Sequence, residues 1–160
     1  DWCHKADCGT GADCRVIPNQ NTLCVATYQG DIAPTLMVLD AEVHLIGPNG
    51  LRTMPLASFY KLDGMTKNVL EKGEFLLKVT ISEENANRQG SYQKLRVRDT
   101  WDFPEAGVAA SWISNDVSSL RIASTALESI PRCHPDEVAS VLEQGWDDID
   151  SVMTLAAEFR

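Results

Sequence analysis

Three extended segments decide the fold class of this chain: YQKLRVR (92–98), AGVAASWI (106–113) and LRIASTA (120–126). The first alternates two sets of side chains, the second is small and apolar, and the third follows a polar turn at Asn115-Asp116. Consecutive strands in a sequence are usually neighbours in space. Three such segments in succession therefore predict an antiparallel sheet.

Shorter elements precede this sheet. Residues 31–39 predict a short helix with Asp31 as its N-cap residue. Residues 42–46 and 51–55 predict a hairpin, closed by the four-residue turn Gly47-Pro48-Asn49-Gly50.

Both sides of the sheet region carry further signals. Residues 74–81 are mostly apolar and predict an interior strand, and the polar stretch 82–90 predicts a junction between subdomains. Pro135 opens a predicted helix that ends at Gly145, and the acidic turn at Asp147 opens a second helix. Together these elements predict an α+β fold.

The charge balance excludes several partners. Of the 160 residues, 14 are Lys or Arg and 23 are Asp or Glu, so the formal net charge is −9. Nucleic acids and anionic membranes attract basic surfaces, which argues against both. No apolar run approaches the roughly 18–20 residues that cross a bilayer, and no apolar leader opens the chain. We therefore expect a cytoplasmic chain with no nucleic-acid partner and no membrane span.

Four cysteines crowd the first 24 positions: Cys3, Cys8, Cys14 and Cys24, in the spacing C-x4-C-x5-C-x9-C. The surrounding segment is too polar and turn-rich to order itself by burial, so it needs a covalent or metal link. Two disulfides, a zinc ion, an iron–sulfur cluster and unligated thiols all remain open on spacing alone.

No complete catalytic motif occurs. His4, His44 and His134 lack metal-ligand spacing, and no Gly-x-Ser-x-Gly elbow is present. The glycine pair at residues 9–11 neither follows a strand nor opens a helix, so it does not indicate a dinucleotide site. The sequence predicts no catalytic residue.

Two longer stretches carry a family resemblance. They are YQGDIAPTLMVLDAEV (28–43) and YQKLRVRDTWDFPEAGVA (92–109), with GEFLL (73–77) between them. In this order they resemble the FAD-binding subunits of molybdenum hydroxylases, the xanthine dehydrogenase superfamily. The resemblance implies the end of a second FAD-binding lobe. An antiparallel three-stranded sheet packed with helices would follow, as in the C-terminal domain of CO dehydrogenase flavoproteins.

The same resemblance implies the cofactor contacts. Asp31 would lie beside the flavin pyrimidine ring and accept a hydrogen bond from its N–H. Lys94 would lie near a flavin carbonyl oxygen, where a cation stabilises the reduced ring. Leu76 and Leu77 would be core strand residues with one backbone group facing the flavin. From the residues alone, Asp31 is a helix cap and Lys94 a solvated strand residue.

The cysteine segment resembles one branch of the family. CRVIP (14–18) leading to Cys24 is similar to the insertion in the flavin subunits of 4-hydroxybenzoyl-CoA reductases, which holds a 4Fe–4S cluster beside the flavin. The resemblance implies Cys3, Cys8, Cys14 and Cys24 as the cluster ligands.

We thus expect a cysteine-rich insertion (1–27), the C-terminal part of an FAD-binding domain (28–85) and a truncated C-terminal domain (90–160). A Gly-rich loop for the FAD diphosphate is missing, which implies a C-terminal piece of a subunit roughly twice as long. The predicted function is an FAD-carrying electron-transfer subunit of a molybdenum-containing hydroxylase, dehydrogenase or aromatic acyl-CoA reductase. Its partners would be a molybdenum cofactor subunit and a 2Fe–2S subunit. The alternative is a metal-stapled structural or interaction domain without a redox role.

Overall fold

The computed structural model describes Cys14 and residues 24–144, which form two antiparallel sheets packed with short helices. In chain order the elements are α1 (Ile32–Val38), β1 (Glu42–Gly47), β2 (Gly50–Pro55), α2 (Leu56–Phe59), β3 (Phe75–Thr80), α3 (Glu83–Ala86), β4 (Gln89–Leu95), β5 (Ala106–Ile113), β6 (Asp116–Thr125), β7 (Arg132–Cys133) and α4 (Pro135–Gln144). This mixture of helices and antiparallel sheets is an α+β fold, as predicted.

The first sheet has the strand order β2-β1-β3, and β1 pairs antiparallel with both neighbours. The predicted hairpin between β1 and β2 is present, but its turn is shorter than expected. Gly47 pairs with Gly50, so only Pro48 and Asn49 lie between the strands. Gly50 has a φ of +100°, which glycine adopts without steric cost, and this permits the tight turn.

The prediction of an interior strand at residues 74–81 is wrong for the first half of the strand, whereas Val79 and Ile81 are half-buried. Phe75, Leu76 and Leu77 are 70%, 47% and 55% exposed. Among the described strands β3 pairs only with β1, so it lies at the edge of its sheet. An apolar strand is buried only where another layer covers it, and within the described residues nothing covers this end of β3.

The second sheet has the order β4-β5-β6-β7 and is antiparallel throughout. The three predicted strands correspond to β4, β5 and β6, and Asn115 of the predicted turn has a φ of +62°. A fourth strand, β7, extends the predicted three-stranded sheet, with Ala123 opposite Cys133 and Ser124 opposite Arg132. Two residues are too short a run to show an alternating pattern.

The core joins α1 to both sheets. One buried cluster takes residues from the helices and from each sheet: Met37, Val38, Ala41, Val43, Leu45, Leu56, Phe59, Ala109 and Ala123. The buried Ser111 hydroxyl of β5 also donates a 2.6 Å hydrogen bond to the carbonyl oxygen of Val38 at the end of α1. This packing fixes α1 relative to the second sheet.

Two further predicted features can be located. The polar stretch 82–90 forms α3, whose N-cap Ser82 accepts a 3.2 Å hydrogen bond from the Asn85 amide, and then enters β4. The helix predicted at Pro135 is α4, whereas residues 145–160, with the predicted second helix, lie outside the described residues. In the described part of the chain no helix has the length and apolar character needed to cross a membrane.

Candidate functional site

Asp31, directly before α1, is joined to β4 by two hydrogen bonds. Its Oδ1 accepts a 2.9 Å hydrogen bond from the Tyr92 hydroxyl, and its Oδ2 accepts a 2.8 Å hydrogen bond from the Lys94 ammonium. The residue occupies the N-cap position, yet its side chain makes no capping hydrogen bond. The predicted capping role is therefore wrong. Asp31 has helical backbone angles (φ −80°, ψ −31°), whereas a capping residue is usually extended.

The pleat of β4 places both partners of Asp31 on one strand face. Tyr92 and Lys94 are two residues apart, so their side chains leave the sheet on the same side. They lie opposite the small residues Ala109 and Gly107 of β5. The sheet thus places the Tyr92 hydroxyl and the Lys94 ammonium next to the start of α1.

The local electrostatics keep Asp31 ionised. Its side chain is 44% exposed and that of Lys94 20% exposed. Partial desolvation favours a higher pKa for Asp31, but hydrogen bonds from Lys94 and Tyr92 outweigh it and hold the pKa below its usual range. Desolvation and the bond to Asp31 raise the pKa of Tyr92 well above its usual range, so the phenol remains a donor.

Asp31 and Lys94 line a groove of about 700 Å³. The same groove is lined by guanidinium groups just past β4 and by aromatic side chains of the following loop: Arg96, Arg98, Trp101 and Phe103. Trp101 is fully exposed. Pockets for cofactor-sized ligands usually measure about 300–1,000 Å³ and combine apolar walls with a few polar groups. The groove therefore has the size and the mixed polar and aromatic lining of a site for a cofactor-sized ligand.

The loop that carries Trp101 is held by an arginine–aspartate pair. The Arg98 guanidinium donates to both carboxylate oxygens of Asp102 at 2.8 Å. Asp102 also accepts a 3.0 Å hydrogen bond from the Phe103 amide. The bond from Arg98 holds the pKa of Asp102 far below its usual range. A bidentate pair of this kind gives the loop a defined shape beside the groove.

The predicted cofactor contacts separate into two groups. Asp31 and Lys94 meet in the groove, whereas Leu76 and Leu77 lie exposed on β3 and do not line it. The expectation that the leucines are core residues is wrong, because β3 is an edge strand among the described elements. Tyr92 is a site residue that sequence reasoning missed, although its spacing from Lys94 already places both on one strand face.

The predicted cluster ligands lie only partly within the described residues. Cys14 and Cys24 are half-buried, and Cys3 and Cys8 fall outside. Among the described residues no group of three or more His, Cys, Asp or Glu side chains is arranged to hold a metal ion. The 4Fe–4S cluster stays a prediction.

Residues 22–83 match a family described as the FAD binding domain in molybdopterin dehydrogenase. This part of the chain is similar to that FAD-binding domain. The match includes Asp31, Leu76 and Leu77 and ends before Lys94. The groove therefore takes Gln29 and Asp31 from the matched region and Lys94 from the sheet that follows.

The alignments with two curated relatives are longer than this match. The aldehyde oxidoreductase FAD-binding subunit PaoB of Escherichia coli is 35% identical over 91 residues, which cover 54% of this chain and 28% of the relative. The carbon monoxide dehydrogenase medium chain of Hydrogenophaga pseudoflava is 34% identical over 110 residues, covering 62% of this chain and 37% of the relative. The chain spans only 28% and 37% of these two relatives.

Solved structures share the fold. Carbon monoxide dehydrogenase from Hydrogenophaga pseudoflava, in a form lacking the Mo-pyranopterin moiety, aligns with a TM-score of 0.59 and 26% identity over 70% of this chain and 42% of that chain. Reconstituted CO dehydrogenase from Oligotropha carboxidovorans aligns with a TM-score of 0.60 and 22% identity, covering 68% and 38%. The predicted likeness to the CO dehydrogenase flavoprotein fold is confirmed.

Proposed function

We propose that this chain forms one wall of an FAD site in an electron-transfer component of a molybdenum-containing hydroxylase or dehydrogenase. The observation that carries the proposal is the Asp31–Lys94 pair lining the groove. The family match of residues 22–83 supports the cofactor, and the two curated relatives support the class of enzyme.

The polar groups of the groove suit the pyrimidine edge of a flavin. That edge presents an N–H donor between carbonyl acceptors, so it needs an acceptor and a donor side by side. The Asp31 carboxylate is the acceptor, the Lys94 ammonium is the donor, and their own 2.8 Å bond sets their spacing. Each carboxylate oxygen keeps a second lone pair, and 44% exposure of the side chain leaves these lone pairs open to a ligand.

The roles of the side chains follow from their charges. Bound FAD supplies the two-electron redox chemistry. Asp31 binds and orients the ring by accepting its N–H, and Lys94 holds a positive charge where negative charge accumulates on reduction. Trp101 and Phe103 of the adjoining loop provide apolar surface that excludes water from the ring.

Leu76 and Leu77 belong to the proposal as a separate apolar contact. About half of each side chain is exposed on β3, so each can pack against a ring or against another segment of a longer subunit. Because neither leucine lines the groove, we expect their substitution to affect FAD retention less than substitution of Asp31 or Lys94.

The proposed setting is a cytoplasmic enzyme in which a molybdenum cofactor subunit and a 2Fe–2S subunit are the partners. The relative named as a medium chain of carbon monoxide dehydrogenase supports an enzyme made of several chains. The proposal keeps the division into residues 1–27, 28–85 and 90–160, with α3 near the last boundary. The proposed kinship with aromatic acyl-CoA reductases rests on the resemblance of the segment from Cys14 to Cys24 alone.

The test uses the complete subunit with its partners. We expect flavin absorption bands at about 370 and 450 nm in the purified protein. Asp31→Ala and Lys94→Ala should each weaken FAD binding about tenfold to a hundredfold, since each removes a charge-assisted hydrogen bond. Flavin content and the dissociation constant for FAD are the quantities measured.

Matched controls are Glu128→Ala and Lys67→Ala. Glu128 forms an ion pair with Arg132, Lys67 is exposed, and neither residue lines the groove. Both control variants should retain wild-type flavin content. A complete wild-type subunit without flavin would contradict the proposal and favour the metal-stapled interaction domain. Wild-type FAD affinity in the Asp31 and Lys94 variants would contradict the roles of those two residues.

A further inference from the structure

We propose that Tyr92 is a positioning residue of the flavin site, whose hydroxyl fixes the Asp31 carboxylate in the orientation that meets both Lys94 and the ligand. This inference rests on the proposed function. Tyr92 does not line the groove, so it acts through Asp31 rather than on the ligand itself.

The hydroxyl of Tyr92 binds the Asp31 carboxylate oxygen that Lys94 does not contact. Tyr92 donates to Oδ1 at 2.9 Å, while Lys94 donates to Oδ2 at 2.8 Å. The terminal torsion of an aspartate has a broad energy profile, so a carboxylate with one partner can rotate. Two donors from one strand face fix the carboxylate plane before a ligand arrives, which lowers the entropy cost of binding.

Strand β5 is shaped to admit this hydroxyl. A Cβ added at Gly107 would lie 2.6 Å from Tyr92 Oη and 2.7 Å from Thr125 Cγ2. Such distances are far below van der Waals contact, so a side chain at position 107 would displace the phenol. Gly107 does not have a positive φ, unlike Gly50 and Gly73. Glycine is therefore required at this position for space and not for its backbone conformation.

The backbone before Asp31 is held from the same place. Thr125 is buried, and its Oγ1 donates a 3.0 Å hydrogen bond to the carbonyl oxygen of Gly30. Thr125 thus fixes the main chain at the start of α1, while Tyr92 fixes the carboxylate one residue later. The side chains of Tyr92 and Thr125 both occupy the space that a side chain at position 107 would need. The second sheet thus holds both the backbone before Asp31 and the Asp31 carboxylate.

The tyrosine ring and its hydroxyl can be tested separately. The ring packs against the core cluster, so Tyr92→Phe keeps this packing and removes only the hydrogen bond. The matched control is Tyr60→Phe, which removes a 3.2 Å hydroxyl contact with Tyr28 outside the groove. Gly107→Ala is a second route, because it keeps the tyrosine and crowds its hydroxyl.

Two measurements are made on each variant. In the 160-residue chain the Asp31 carboxyl carbon is titrated by NMR, with Asp31→Asn to assign its signal, and thermal unfolding checks the fold. In the complete subunit the dissociation constant for FAD is measured. We expect Tyr92→Phe and Gly107→Ala to raise the pKa of Asp31 and to weaken FAD binding about threefold to tenfold. Tyr60→Phe should change neither quantity.

The outcomes separate this inference from the proposed function. An unchanged Asp31 titration in Tyr92→Phe would overturn the positioning role, whatever happens to FAD. A raised pKa with wild-type FAD affinity would overturn the link between the carboxylate orientation and the flavin. A wild-type subunit that binds no FAD would overturn the flavin assignment itself, while the titration would still report on the contact between Tyr92 and Asp31.

Discussion

Asp31 and Lys94 are 63 positions apart in the sequence, and a 2.8 Å ion pair joins them. The pair ties the start of α1 to β4 and sets an acceptor beside a donor in one groove. It also links the region matched by the FAD-binding family, residues 22–83, to the sheet that follows it. Neither region forms the candidate site alone.

This ion pair should matter more for binding than for stability. A double-mutant cycle with Asp31→Ala and Lys94→Ala should give a coupling free energy of unfolding below about 1 kcal/mol, because solvent screens a partly exposed pair. Chemical denaturation of the wild type, the two single variants and the double variant measures this coupling. A value of about 3 kcal/mol, typical of buried pairs, would assign the pair a mainly structural role.

Glu74, directly before β3, should make stability depend on pH in the acid range. The Arg52 guanidinium donates to both Glu74 oxygens at 2.7 Å, and this lowers the pKa of Glu74 from 4.5 to about 2. A carboxyl with a depressed folded-state pKa stabilises the fold above its unfolded pKa, and the contribution is lost as the pH falls toward the folded value. Stability should therefore decline between about pH 4.5 and about pH 2.

Thermal unfolding across that range tests the Glu74 prediction. Glu74→Gln should flatten the decline, since the amide cannot titrate. Glu105→Gln, at an exposed position, serves as the control and should leave the profile unchanged. An acid profile that is the same in Glu74→Gln and in the wild type would exclude Glu74 as its source.

Ser111→Ala should destabilise the fold by about 1–3 kcal/mol. The hydroxyl is fully buried, donates to the Val38 carbonyl oxygen at 2.6 Å and accepts from the Arg88 guanidinium at 3.1 Å. Its loss removes one hydrogen bond from the Val38 carbonyl oxygen and one from the half-buried Arg88 guanidinium. Urea denaturation measures the change, and the exposed Ser118→Ala should stay within about 0.5 kcal/mol of the wild type. If Ser111→Ala and Ser118→Ala changed the free energy of unfolding equally, burial of the Ser111 hydroxyl would not explain its contribution to stability.

The cluster prediction is decided by metal analysis. Complete subunit purified without oxygen should contain iron and acid-labile sulfide if Cys3, Cys8, Cys14 and Cys24 are ligands. Cys24→Ser should lower both contents, whereas Cys133→Ser, in β7 of the second sheet, should leave them unchanged. One equivalent of zinc without iron would replace the cluster by a structural zinc site.

Local sequence patterns predict which helices and strands form, but they predict less well how each of these elements is buried or paired. The sequence predicts β4, β5 and β6 because the pattern that indicates a strand lies in consecutive residues. The exposure of Phe75 cannot be predicted in this way, because the edge position of β3 depends on which strands pair elsewhere in the sheet. The hairpin turn is a similar case: a Gly-Pro-Asn-Gly sequence permits several turn lengths, and pairing of Gly47 with Gly50 selects the shortest.

The candidate site shows the same division. A polar residue before a helix predicts an N-cap. No residue near Asp31 in the sequence indicates that the hydroxyl of Tyr92, 61 positions away, donates a hydrogen bond to the Asp31 carboxylate. The family resemblance names Asp31 and Lys94 because it carries information about the assembled site. The resembling stretch begins at Tyr92, but the resemblance implies no role for this residue, and its contact with Asp31 is seen only in the folded chain.

Trp101 stands fully exposed in the wall of the groove. An indole in that position emits fluorescence in a range that a flavin absorbs, so a flavin lying against it would quench its light. Trp112, whose indole N–H donates a 2.8 Å hydrogen bond to Gln89 outside the groove, gives a comparison signal. The loop thus provides a built-in optical reporter, and the filling of the groove can be followed from the emission of the protein itself.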